Sequence, residues 1–69
     1  MKLLDVVALV DDIPEKNLKR GQVGTIVEIL APNVFEVEFS DLDGQAYEIC
    51  AVPESNLMVL RHLPEAIAA

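Results

Sequence analysis

Side chains able to serve as a nucleophile or as a proton carrier near neutral pH are scarce in this chain. There is one histidine, His62, one cysteine, Cys50, one threonine, Thr25, and two serines, Ser40 and Ser55. Nucleophilic catalysis needs such a group held against a base that a third group orients in turn. The only histidine falls beside Arg61 close to the end of the sequence and reads as an exposed residue at a strand end. Cys50 lies in Ile49-Cys50-Ala51-Val52, with no cationic neighbour in sequence to lower its thiol pKa, and reads as a small packing residue on a strand. One Cys and one His cannot make a zinc ligand set either. The expectation is a protein without catalytic residues, cofactor or metal, hence not an enzyme.

Carboxylates are the abundant functional group. Twelve Asp and Glu against five Lys and Arg give a net charge of -7 and a pI near 4.3. Asp41-Leu42-Asp43-Gly44 looks like the opening of a calcium loop, but Gln45, Ala46 and Tyr47 lead on into a strand and no bidentate Glu follows at the required spacing. Asp11-Asp12 with Glu15 is likewise acidic without being a ligand set. Glu36 and Glu38 project from one face of one strand, about 7 Å apart, and Glu28 on the preceding strand can join them across a hairpin. Like charges so close cost stability. They persist as solubilising gatekeepers beside hydrophobic strands, or because a cationic partner lands on them. The candidate protein-binding residues are therefore Glu28, Glu36, Glu38, Asp41 and Asp43, and the partner they suit is a basic protein. A chain this acidic displaces few counterions from a polyanion and repels it overall, so nucleic acid and anionic membrane are not expected partners. The one local cationic group is Lys16, Lys19 and Arg20.

The elements that position these residues are short and β-rich. Residues 4–10, Leu-Asp-Val-Val-Ala-Leu-Val, suit a first strand, closed by Asp11-Asp12-Ile13-Pro14. Residues 11–20 are polar, yet Ile13 and Leu18 within them want burial, which describes an ordered loop folded over a core. Gly21 and Gly24 then flank the entry to a second strand, residues 25–30, where Gly allows tight turns or close backbone contact. Ala31-Pro32-Asn33 is a short hairpin connector, with Asn33 able to take a left-handed conformation. In the third strand Phe35, Val37 and Phe39 alternate with Glu36, Glu38 and Ser40 at a period of two, so one face is core and the other wet. A turn at residues 41–44, with positive φ at Gly44, returns the chain as a fourth strand, residues 45–52, whose inward side chains are expected to be Tyr47 or Ile49. Pro53-Glu54-Ser55-Asn56 breaks the sheet with a turn of tight helix before a last short strand, residues 57–60.

Sixty-nine residues hold one small core, and 52% hydrophobic content with a mean hydropathy of +0.35 is too apolar for a disordered chain. Five short strands, a long loop after the first and tight hairpins in the middle predict an all-β fold, a small five-stranded SH3-like barrel over residues 1–61, with a tail at 62–69 that docks or frays. An OB-type barrel fits less well, since only residues 41–44 separate the third strand from the fourth. The longest apolar run, residues 6–10, is far short of the ~20 a membrane-spanning helix requires, and Asp5 interrupts any signal-peptide pattern. With no disulfide possible, a cytoplasmic location is expected. Nothing in the sequence specifies an oligomeric state.

The segments Asp5-Val6-Val7-Ala8-Leu9, Leu18-Lys19-Arg20-Gly21-Gln22-Val23-Gly24-Thr25-Ile26-Val27, Phe35-Glu36-Val37-Glu38-Phe39 and Asp41 to Gly44 resemble the small bacterial family known as domain of unknown function 4926. The resemblance runs over residues 3 to 61 and implies an SH3-like barrel, a bacterial source and, from the nuclease-like proteins encoded beside members, an antitoxin or immunity-like inhibitor of a basic partner. It brings no catalytic residues. The stretch from Gly21 to Val27 is also similar to the Gly-centred hairpin of KOW-type SH3-like proteins, which makes a nucleic-acid-associated binding protein the alternative. The basic and aromatic side chains by which such proteins work are missing here.

Overall fold

The computed structural model describes residues 1–60. The expected tail at 62–69, with His62 and Arg61, lies outside the described residues. Five antiparallel strands, β1 (Val6–Leu9), β2 (Val23–Ala31), β3 (Val34–Ser40), β4 (Ala46–Pro53) and β5 (Leu57–Val59), form one sheet in the order β4-β3-β2-β1-β5. Single turns of 3-10 helix occupy Pro14–Lys16 and Glu54–Asn56. The all-β, five-strand expectation holds.

The sheet cannot be flat. In a flat sheet four strand spacings, about 19 Å, would separate β4 from β5. Yet β4 ends at Pro53 and β5 begins at Leu57, with only Glu54–Asn56 between them. At about 2 Å per residue that 3-10 turn spans roughly 8 Å, and even a fully extended link would reach only about 14 Å. The sheet must therefore curl until its two edges approach. Burial agrees: Val7, Leu9, Leu18, Ile26, Phe35, Val37, Phe39, Cys50, Val52 and Leu57 form one cluster, although neither a second sheet nor an α-helix exists among the described residues to cover it. Only a sheet wrapped around its own inner face can hide side chains from both edge strands.

Residues 11–20 close one end of this core. Ile13 and Leu18 pair by two backbone hydrogen bonds, 2.8 and 3.1 Å, Asn17 takes the left-handed conformation at φ 57°, and Leu18 drops to 1% exposure. The loop expected to fold back over the core does so. Asn33, in contrast, keeps a negative φ. Pro32 occupies the first turn position with its φ fixed, and β2 carries irregularities between Ile26 and Glu28 and between Ile29 and Ala31 that take up the mismatch with strand twist.

In β3 the expected alternation is complete: Phe35, Val37 and Phe39 are buried and the residues between them half-buried. The expected inward pair on β4 is corrected. Tyr47 and Ile49 are 45% and 49% exposed, and the β4 side chains that enter the core are Cys50 and Val52. Val37 faces Cys50 and Phe35 faces Val52 across the ladder, and directly opposed residues of an antiparallel pair point to the same side, so the even positions must follow the phenylalanines inward.

Candidate protein-binding site

The same parity rule builds the outer face. Glu36 and Glu38 stand on β3 opposite to the core, and their neighbours on β2 are Glu28 and Thr25, on β4 Ala51 and Ile49. Glu28 and Glu36 are thus directly opposed carboxylates, with Glu38 one step along the same face. None of the flanking positions is cationic. Directly opposed like charges destabilise a ladder. Exposed Ile49 and Tyr47 border the group on β4. Tyr47 is fixed by its hydroxyl, which accepts a hydrogen bond from Gln22 Nε2 at 3.1 Å across the end of β3.

Asp41 and Asp43 stand apart from this trio, at the far end of β3. One carboxylate oxygen of Asp41, Oδ1, accepts the N–H groups of Asp43 (2.9 Å) and Gln45 (3.0 Å), while Gly44, at φ 79°, donates to the Asp41 carbonyl. Asp41 is therefore a turn-forming residue before it is anything else. Of the five candidate residues, the structure brings Glu28, Glu36 and Glu38 together and leaves Asp41 and Asp43 as a separate acidic turn. Leu42, between them, is wholly exposed.

The cationic loop is not a cationic patch. Lys16, Lys19 and Arg20 share residues 11–20 with Asp11, Asp12 and Glu15, so the segment carries no net charge. The Arg20 N–H donates to Asp12 Oδ1 at 2.7 Å, and the Asp11 N–H to Asn56 Oδ1 at 2.7 Å. Sequence reasoning missed an open depression bounded by Met1, Asn33, Pro53, Glu54, Ser55 and Leu57, formed where the β2–β3 hairpin meets the turn after β4. Glu54 is the one acidic residue among those that line it, and no signal in the sequence marks it. Among the described residues no three His, Cys, Asp or Glu side chains converge as a metal site would require, and no helix is long and apolar enough to cross a membrane.

Cys50 occupies the core, as its small size suggested. Burial pushes its thiol pKa up from 9.0, the charges of Glu48 and Glu15 add to the rise, and Lys16 opposes it. The neutral thiol is thus favoured by folding. Its contribution is intact below the unfolded pKa and is lost as pH rises through the higher folded value, so the domain should lose stability above about pH 9. Thermal melts between pH 8 and 11 should show a shallower alkaline decline for Cys50→Ala than for the wild type. Parallel curves would show that the thiolate plays no part.

These features define a small all-β module whose outer sheet face carries a carboxylate trio beside exposed apolar residues. The chain belongs to the family described as domain of unknown function (DUF4926), whose profile matches residues 3–59. No curated protein and no solved structure gives a significant match.

Proposed function

We propose that this domain is a non-enzymatic protein-binding module that receives a basic partner on its outer face, in its sharpest form as an antitoxin or immunity-like inhibitor of a nuclease-like protein in the cytoplasm of a bacterium. The observation that supports this reading is the direct opposition of Glu28 and Glu36, with Glu38 beside them and no cation at any neighbouring ladder position. The arrangement costs stability in the free domain, and a cationic surface would relieve that cost on binding. An acidic face can also steer toward a basic cleft and occupy it in place of phosphates. The alternative, a nucleic-acid-associated protein, finds less support, because the loop holding Lys16, Lys19 and Arg20 contains as many carboxylates as cations.

Affinity capture from the native host with mass spectrometry identifies the partner without a prior guess, and the kinetics then test the face. Reversing both Glu36 and Glu38 to Lys should lower the on-rate about tenfold at low ionic strength, with the effect fading as salt rises, since ions screen such attraction within ~8 Å at physiological strength. Both side chains lie on the outer face, so the fold should survive the change. Unchanged kinetics would remove this face from the interface.

A further inference from the structure

Three stretches of strand edge lack a partner among the described residues. The end of β2 beyond Ile26 is broken by irregularities, and β5 is only three residues long. The remaining edge, β4, is eight residues long and pairs only with β3. Its one irregularity lies at the turn end, between Phe39 and Ser40, so the run from Glu48 to Pro53 is in unbroken register. Edges are usually protected by lysine, by proline within the strand, by a bulge or by an inward charge; from Ile49 to Val52 this one has none of them, Glu48 and the unpaired Tyr47 lying at the turn end. Its inner side chains, Cys50 and Val52, are already buried, while Ile49 and Ala51 stand outward and exposed.

We propose that the free edge of β4 binds an extended segment of the basic partner as an added strand, with Lys or Arg at alternate positions of that segment. This inference rests on the proposed binding of a cationic partner and adds how the partner is held. Outward residues of a strand added to β4 would fall into the existing rows, opposite Ile49 and Ala51, and two strand spacings, about 10 Å between backbones, from Glu38 and Glu36. Ala51 is too small to stand in the way, so a long cationic side chain opposite it can lean across to Glu36, which Glu28 backs on the next strand. The row above offers Glu38 past Ile49. Two rows one step apart on the same face call for cations two residues apart, which is the period of an extended chain. Backbone pairing supplies the docking and the two carboxylate rows supply the selection, the division of labour seen in strand-addition recognition generally.

The probe is a capped heptapeptide, Thr-Lys-Val-Arg-Val-Lys-Thr, compared with the same peptide N-methylated on its three central residues, which removes donors from both of its edges while keeping the charge. Binding to the intact protein is followed by calorimetry and by amide hydrogen exchange. The expected result is at least tenfold tighter binding of the unmethylated peptide, slowed exchange at alternate amides between Tyr47 and Val52, and at least a tenfold loss of affinity in Glu36→Gln/Glu38→Gln. Equal binding of both peptides with unchanged exchange along β4 would overturn strand addition and leave the acidic-face reading standing. Failure of both peptides to bind at low salt would overturn both readings. Slowed β4 exchange with undiminished affinity in the double Gln variant would overturn the assignment of the cations to Glu36 and Glu38.

Discussion

Phe39→Ala should leave the domain largely unfolded at room temperature. Phe39 has no exposed surface and is the largest of the wholly buried side chains, set between Gly24 on β2 and Glu48 on β4. Truncating a buried Phe to Ala costs about 3–5 kcal/mol, from lost transfer free energy and from the cavity left behind. A core in a domain of this size rarely supplies more than about 3–5 kcal/mol of net stability, so the loss matches the whole reserve. Urea titration followed by circular dichroism measures it. Ile49→Ala is the matched control: its side chain is half exposed, and its midpoint should barely move. Equal losses in the two variants would contradict the assignment of inner and outer faces.

Gly24 is the second position of large effect, because the close approach of β2 to β3 leaves no space for a side chain. A Cβ there would stand 2.6 Å from Val37 Cγ1 and 2.8 Å from the Glu38 carbonyl oxygen. Backbone cannot retreat as a flexible side chain can, so Gly24→Ala should cost at least the 1–3 kcal/mol typical of overpacking, with Gly24→Val worse. At Gly21 the limit is conformational instead. Its φ is 90° and open space surrounds it, so Gly21→Ala should cost about 1–2 kcal/mol through backbone strain alone. Denaturant midpoints order the set, and a Gly24→Ala protein as stable as the wild type would show that the two strands can part without penalty.

Much of this fold was legible because local chemistry and global arrangement agree. Phe35, Val37 and Phe39 alternate with Glu36, Glu38 and Ser40, so only one parity can be core, and the residues from Asp41 to Gly44 and Pro53 mark where β3 and β4 end. Leu18 announced itself as an apolar residue in a polar stretch. On β4 the pattern was misleading, because both parities carry apolar residues, Tyr47, Ile49 and Ala51 on one and Cys50 and Val52 on the other, where Glu48 also sits. Choosing by side-chain size favours Tyr47 and Ile49, whereas the hairpin register sends Cys50 and Val52 inward, and register depends on how the turn closes as well as on hydrophobicity. The acidic trio was legible only as a neighbourhood: Glu28, Glu36 and Glu38 belong to adjacent strands of a tight hairpin, but it is the irregularity between Ile29 and Ala31 that brings Glu28 opposite Glu36 instead of Val37. Asp41 and Asp43 looked equivalent to them by charge. A turn, however, spends one carboxylate on its own backbone, and composition does not reveal that.

The pairing of β1 with β5 carries a consequence for how the chain reaches this state. Val7 faces Val59 and Leu9 faces Leu57, so the first strand and the last are neighbours, while β2, β3 and β4 follow one another as two hairpins. The hairpins close short loops, but the β1–β5 ladder closes a loop of nearly the whole described chain and so bears the largest chain-entropy cost for only three residue pairs. Contacts of that kind are made late, after cheaper local ones have fixed their surroundings. In kinetic terms the acidic hairpin is the early-forming body of the molecule, and β1 with β5 is the latch that shuts upon it.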